Sequence, residues 1–146
     1  MRVTTKGRYG LRAMIELAAR HNGEPVLMSD VAEQMGVSRK YLHAVLTTLK
    51  RAGLVRSVRG SGGGYCLARD PQQINLAEIL SALEHCGSLV ECVENANACP
   101  RCTTCVARGL WTGLGRAIQA YLAGISLHDL THRQAELDVE PLLVGR

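Results

Sequence analysis

The sequence predicts a mainly α-helical fold with one small β-hairpin. Its 146 residues are 47% hydrophobic, with no Phe and a single Trp. The core must therefore consist of Leu, Val, Ile, Ala and Met, a composition more typical of helices than of a β-sandwich. Apolar residues recur at helical spacing along much of the chain, and a glycine run at 60–64 is flanked by alternating residues. This length suits one sizeable core with an extension.

Three helices are predicted before residue 54. The first covers 8–21 and ends at Asn22-Gly23. A short helix follows, with Ser29 as its expected N-cap and Gly36 at its end, and a third begins at Ser38 and ends at Gly53. A short helix, a glycine turn and a longer helix predict a helix-turn-helix. The apolar faces comprise Leu11, Met14, Ile15, Leu17 and Ala18, then Val31, Ala32 and Met35, then Leu42, Val45, Leu46 and Leu49.

The glycine run predicts a β-wing after these helices. Residues 54–59 and 65–68 alternate as strands do, which favours a hairpin over a flexible linker. A phosphate-binding loop is disfavoured because the string G-x-x-x-x-G-K-S/T is absent. The expected fold class is therefore mainly α with a small β-wing, a winged helix-turn-helix domain. Cys66 on the second strand is predicted to be a small core residue.

The charge is divided between the two halves of the chain. Residues 1–69 hold twelve Lys and Arg against four acids, a net +8, whereas residues 70–146 hold five against nine, a net −4. A solvated lysine face is the plain alternative, but a basic half that contains this motif is expected to bind double-stranded DNA. The second helix of the motif then enters the major groove. The predicted DNA-binding residues are Ser38, Arg39, Lys40, Tyr41 and His43 at the start of that helix, Lys50 and Arg51 at its far end, and Arg59 at the wing tip.

The second half is predicted to contain two more helices. One begins near Leu76 and ends near Cys86-Gly87, and the other, the longest, covers 106–122 with apolar residues every three or four positions. A long apolar helix after a complete winged domain favours a homodimer that binds a palindromic operator, and folding back on its own domain is the alternative. The expected divisions are 1–84 for DNA binding, 85–105 as a cysteine-rich loop, 106–134 for dimerisation and 135–146 as a tail.

Four cysteines lie within fourteen residues, at Cys92, Cys99, Cys102 and Cys105. With no apolar N-terminal region and no stretch long enough to span a membrane, we expect a cytoplasmic protein, where clustered cysteines indicate metal or redox chemistry rather than disulfides. Structural zinc, an iron–sulfur centre and a thiol switch all remain open. Zinc usually prefers separated pairs of cysteines, so this compressed spacing is closer to that of iron–sulfur sites.

Three stretches resemble the Rrf-two family of bacterial transcription regulators. They are RVTTKGRYG at 2–10, VSRKYL at 37–42 and VRGSGGGY at 58–65, and the resemblance covers about residues 1–134. It implies a dimer formed by the long C-terminal helix, a wing arginine in the minor groove, and an iron–sulfur cluster, [2Fe-2S] or [4Fe-4S], held by Cys92, Cys99 and Cys105. By the same resemblance, loading, loss or modification of the cluster changes which promoters are bound.

The fourth ligand departs from the family pattern. Some members use a histidine three residues past the last cysteine, where this chain has Arg108, and others an acid near the N-terminus, where it has Arg8. Arginine cannot ligate iron. Cys102 is the natural substitute, and His85 with its neighbour Cys86 are further candidates.

Rival functions follow from the same residues. One is a regulator of the same fold that uses zinc or thiol–disulfide chemistry, and the other is a protein-interaction module whose basic half binds an acidic partner. No nucleophile motif such as G-x-S-x-G is present, so neither an enzyme nor a small-molecule substrate is expected.

Overall fold

A computed structural model of the chain describes residues 3–84 and 89–144. Three helices lead into a two-stranded wing, and a fourth helix, a short helix in the cysteine-rich region and two long helices follow. This confirms the mainly α fold with a small β-wing. The helices are α1 Thr5–Ala19, α2 Met28–Met35, α3 Arg39–Arg51, α4 Leu76–Leu83, α5 Glu91–Glu94, α6 Val106–Ala123 and α7 Leu127–Val144, and the strands are β1 Val55–Val58 and β2 Gly64–Leu67.

Side-chain caps fix the starts of two helices of the DNA-binding unit. Thr4 Oγ1 accepts from the Gly7 N–H at 3.2 Å and begins α1, and Ser38 Oγ accepts from the Tyr41 N–H at 3.2 Å and begins α3. The prediction that Ser29 caps α2 is wrong. The helix already begins at Met28, so Ser29 lies in its first turn and its hydroxyl donates to the Asp30 carboxylate.

The wing is an antiparallel hairpin that is also tied to the segment before α2. Its register pairs Val55 with Leu67 and Val58 with Gly64. Tyr65 on β2 exchanges two backbone hydrogen bonds of 2.8 Å with Val26. A Cβ at Gly64 would overlap the Val26 carbonyl group, so this close approach of two backbones requires glycine.

The core lies between α1, α2, α3, α4 and β1–β2, and most of the predicted apolar faces contribute to it. Cys66 is buried there, as predicted. Leu127 was not predicted as a core residue, yet its exposed fraction is 0%. The chain returns to the winged unit after α6, where the Leu127 N–H donates to the Ile74 carbonyl at 2.8 Å and the Leu76 N–H to that of Ile125 at 3.0 Å. The main buried side chains are Met14, Leu17, Val31, Leu42, Val45, Leu46, Leu49, Leu54, Ile74, Ile79 and Leu127.

Helix α7 continues to Val144, so most of the segment 135–146, which the sequence predicts as a tail, is helical. Side-chain pairs four residues apart support its exposed part: Gln134 Nε2 donates to Asp138 Oδ1 at 2.9 Å, and His132 Nδ1 lies 3.3 Å from Glu136 Oε1. Within 3–84 and 89–144, no helix is long and apolar enough to cross a membrane.

Candidate DNA interface and cysteine segment

The start of α3 presents a polar and basic face to solvent. Arg39, Lys40 and His43 are exposed there, while Leu42 between them points into the core. Ser38 is also exposed, but its hydroxyl oxygen accepts the capping hydrogen bond. The helical repeat therefore separates the core-facing residues of α3 from the side chains that a DNA groove would meet.

Tyr41 faces α1 instead of this surface. Its ring packs edge-on against Tyr9 with the centroids 5.9 Å apart, and the guanidinium of Arg12 lies over the Tyr9 ring. The Tyr41 hydroxyl is buried and has no hydrogen-bond partner among the described residues. Burial, together with the nearby Tyr9 hydroxyl, raises the Tyr41 pKa. This orientation argues against a base contact by Tyr41 and favours a role in positioning α3.

The other predicted DNA-binding residues lie at the end of α3 and on the wing. Lys50 Nζ donates to Ser57 Oγ on β1, which links the recognition helix to the wing. Arg51 and Arg59 are exposed. Arg59 precedes Gly60, whose φ of 104° forms part of the turn at the wing tip. The structure thus brings a row of cations from α3 and the wing to the surface.

The end of α4 holds the start of α1. Glu84 Oε1 accepts hydrogen bonds of 2.8 Å from both the backbone N–H and the hydroxyl of Thr4. A Cβ at Gly7 would overlap the Glu84 carboxylate, and one at Gly10 would overlap the Leu83 side chain. The first turn of α1 has no acid of its own, so Glu84 supplies the negative charge that a helix N-terminus favours. Sequence reasoning missed this contact because no pattern links residues eighty positions apart.

The cysteine segment, residues 92–105, begins within α5 and ends at the N-terminal cap of α6. Cys102 is buried, with 7% of its surface exposed, and its thiol donates to the Cys92 carbonyl at 3.7 Å. The Cys102 N–H also donates to the Cys99 carbonyl at 3.1 Å. Cys92 and Cys99 are half-buried, whereas Cys105 is exposed as the N-terminal cap of α6. The chain path therefore brings the backbones of Cys92, Cys99 and Cys102 together.

Arg108 donates three hydrogen bonds to backbone carbonyls of this segment. Its Nε donates to the Cys92 carbonyl at 2.9 Å and its Nη2 to the Val93 carbonyl at 3.5 Å. Its own backbone N–H donates to the Cys105 carbonyl at 3.2 Å. The Arg108 side chain therefore joins the first turn of α6 to the start of the cysteine segment.

The donors of this segment suit a soft metal, although they are not arranged around one. Across the described parts of the chain, no three His, Cys, Asp or Glu side chains are placed to hold a metal ion. Four neighbouring thiols are nonetheless the donor type that iron–sulfur clusters and zinc require. The candidate ligand His85 and its neighbour Cys86 lie outside the described residues. The residues fit such a group in chemistry and in chain path, and ligation requires the thiols to turn toward one point.

Helix α6 carries an uncovered apolar stripe. None of its residues, all of which the structure describes, is buried, and 90% of the Val106 surface is exposed. Leu110, Leu114 and Tyr121 continue the stripe at helical spacing and are also exposed. A stripe of this size on a long helix is typical of an interaction surface.

The winged helix-turn-helix with its basic surface defines a DNA-binding protein of the transcription-regulator class. Residues 3–133 match the Rrf2 family, described as iron-dependent transcriptional regulators. The chain belongs to this family, as its sequence motifs indicated.

Named relatives agree with this membership. The transcriptional regulator IscR of Xenorhabdus nematophila is 39% identical over 139 residues, which cover 95% of this chain and 84% of that protein. The structure of IscR from T. potens has a TM-score of 0.75 at 36% identity and covers 94% of this chain and 90% of its own. CymR, described as the global cysteine regulator of B. subtilis, has a TM-score of 0.76 at 35% identity, with 91% and 98% covered. These relatives are regulators, and the chain is a DNA-binding transcriptional regulator rather than an enzyme.

Proposed function

We propose that this protein is a dimeric, cytoplasmic regulator whose DNA binding responds to an iron–sulfur cluster on the cysteine segment. The observation that carries the proposal is the position of that segment. It lies between the winged DNA-binding unit and the exposed helix α6, so a change in its conformation acts on both. The match to a family described as iron-dependent transcriptional regulators supports an iron-based role.

Cys92, Cys99 and Cys105 are the proposed ligands, with Cys102 as the fourth. Hydrogen bonds already bring the backbones of Cys92, Cys99 and Cys102 together, and Cys105 follows directly before α6. A cluster supplies a redox-active centre that oxygen or nitric oxide attacks when it is exposed. As ligands of one cluster, the four thiols would hold the loop between α5 and α6 in one conformation. Loss of the cluster would release the loop.

The fourth ligand is tested by Cys102→Ala with Cys66→Ala as the control. Both thiols are buried, but Cys66 lies on the wing. We expect Cys102→Ala to lower the iron content or to change the absorption spectrum, because one thiolate is lost. Cys66→Ala should leave both unchanged. An unchanged spectrum for Cys102→Ala would assign the fourth place to another residue.

Two kinds of DNA contact are proposed for the basic surface. Ser38, Arg39, Lys40 and His43 stand at the start of α3, where a recognition helix meets base edges. The residues proposed to contact the DNA backbone or the minor groove are Lys50, Arg51 and Arg59. Lys50 also holds Ser57 of the wing, so its removal is expected to weaken binding through wing placement as well.

The wing contact is tested by Arg59→Ala against Arg133→Ala. Both arginines are exposed, but Arg133 lies on α7, so the two variants change the net charge equally. Arg59→Ala should weaken binding to the specific operator by about 1–3 kcal/mol, the range of one good base contact. Fluorescence anisotropy at fixed salt measures the difference. Equal affinities of the two variants would remove Arg59 from the interface.

The apolar stripe of α6 is the proposed dimer interface. Two copies related by a two-fold axis would cover it, and the same axis would present two α3 helices to a palindromic operator. Leu110→Glu places a charge in the stripe and should shift the molar mass in light scattering toward the monomer. Gln119→Glu is the control, since nine residues along a helix place it on the opposite side. A dimeric Leu110→Glu protein would assign the interface elsewhere.

The metal is tested by anaerobic purification with iron, sulfide and zinc analysis on one sample. Iron and sulfide with visible absorbance support the proposal. Operator affinity is then compared between loaded protein and protein stripped by a chelator, and we expect the two to differ. Colourless protein that takes up no iron after reconstitution would refute the cluster.

A second candidate is a regulator of the same fold that responds through thiols or zinc. One observation favours it: the Cys102 thiol is buried and engaged with the Cys92 carbonyl instead of facing a metal position. Zinc in the purified protein, or operator affinity that changes with a thiol oxidant in iron-free protein, would select this candidate.

A further inference from the structure

Arg108 lies in the first turn of α6, and its side chain donates hydrogen bonds to the backbone at the start of the cysteine segment. We propose that Arg108 is a positioning residue of the sensor, which fixes Cys92 against the first turn of α6. The inference rests on the proposed function for its purpose, because the segment it positions is the proposed sensing element. Its geometry does not depend on which metal or oxidant is sensed.

Arg108 makes hydrogen bonds near both ends of the segment. Its side chain donates to the carbonyls of Cys92 and Val93, at 2.9 and 3.5 Å, and its backbone N–H donates to the Cys105 carbonyl at 3.2 Å. Its own carbonyl accepts from the Thr112 hydroxyl at 2.8 Å. Only the bonds to Cys92 and Val93 belong to the guanidinium, and they connect the first turn of α6 to the start of the cysteine segment.

The Cys92 carbonyl is the point where two donors meet. Arg108 Nε and the Cys102 thiol both donate to it, at 2.9 and 3.7 Å. The hydrogen bonds of the guanidinium to the Cys92 and Val93 carbonyls do not involve the Cys102 thiol. Arg108 can therefore keep Cys92 in place while Cys102 turns away.

The side chain of Arg108 also links the segment to α6. Because Arg108 lies in the first turn of that helix, its hydrogen bonds to the Cys92 and Val93 carbonyls pass any movement of Cys92 to the proposed dimer helix.

The test uses the reduced, metal-free full chain without DNA. Arg108→Ala and Arg108→Lys are compared with Arg116→Ala, an exposed arginine on the same helix. Mass spectrometry follows the rate at which iodoacetamide modifies Cys102, and buried Cys66 serves as an internal control for global unfolding. We expect Arg108→Ala to accelerate Cys102 modification about tenfold, because loss of a hydrogen bond from a charged group opens the segment.

The pattern across the variants decides the inference. Arg108→Lys should restore part of the protection, since lysine keeps the charge and a donor, and Arg116→Ala should behave as the parent protein. Unchanged Cys66 rates show that the fold is intact. Cys102 modification in Arg108→Ala that stays within about twofold of the parent would overturn the inference. The assay contains no iron and no DNA, so failure of the cluster proposal and failure of this one are seen separately.

Discussion

Replacement of Leu127 by alanine tests whether the chain after α6 is part of the winged core. Leu127 is completely buried in the cluster that includes Ile74 and Ile79. Its backbone hydrogen bond to Ile74 survives the change to alanine, so the loss comes from the side chain alone. A buried Leu→Ala change costs the transfer free energy of the removed atoms and that of the cavity. We expect the free energy of unfolding to fall by about 2–5 kcal/mol.

Leu137→Ala is the matched control. It makes the same chemical change ten residues further along α7, where 59% of the leucine surface is exposed. Its cost should stay within about 0.5 kcal/mol. Urea unfolding followed by circular dichroism measures both, at one fixed protein concentration because association contributes to apparent stability.

The comparison can refute the packing described above. If Leu127→Ala costs no more than Leu137→Ala, Leu127 is not a core residue, and the return of the chain to Ile74 does not stabilise the winged unit. If the free energy of unfolding falls strongly for Leu127→Ala and not for Leu137→Ala, the start of α7 contributes to the stability of the DNA-binding domain.

Three further changes test single contacts. Gly64→Ala would push a methyl group into the Val26 carbonyl, so we expect a loss of about 1–3 kcal/mol in thermal unfolding and weaker operator binding. Glu84→Ala removes the carboxylate that holds the start of α1 and should cost about 1 kcal/mol, measured by urea unfolding; an unchanged midpoint would contradict this. Hydrogen bonds to the Asp129 carboxylate from the Ser126 hydroxyl, and secondly from the Ser126 backbone N–H, lower the Asp129 pKa. The carboxylate therefore stabilises the fold above the usual aspartate pKa, and this stabilisation is lost as the pH falls through the lowered value. Asp129→Asn should therefore show a smaller drop in melting temperature on acidification than the parent protein does.

Local patterns predicted the DNA-binding half well. Ser38 and Gly36 mark helix ends through their own side-chain and backbone chemistry, and the glycine run at 60–64 predicts the wing because positive φ angles are needed at its turn. The prediction for Ser29 is wrong because a serine also fits the first turn of a helix, and helix boundaries read from sequence are uncertain by a residue or two.

The contacts that join distant segments were not predictable in the same way. Glu84 and Thr4 meet across eighty residues, and Tyr41 turns toward Tyr9 although its place near the start of α3 suggested a base contact. In each case the partner lies on an element distant in the chain, so the contact exists only once the two elements have packed. The core position of Leu127 has the same origin, since it depends on where the chain returns after α6.

The sequence by itself determined the winged fold, the basic surface and the presence of four thiols in one segment, because periodicity, capping, turn chemistry and charge are properties of neighbouring residues. The tertiary structure decided which residues control that segment. It directed Arg108 to the Cys92 carbonyl, buried the Cys102 thiol and left the stripe of α6 uncovered. These hydrogen bonds join residues sixteen and ten positions apart, beyond the reach of any helical or strand period, so they form only when the loop between α5 and α6 has folded.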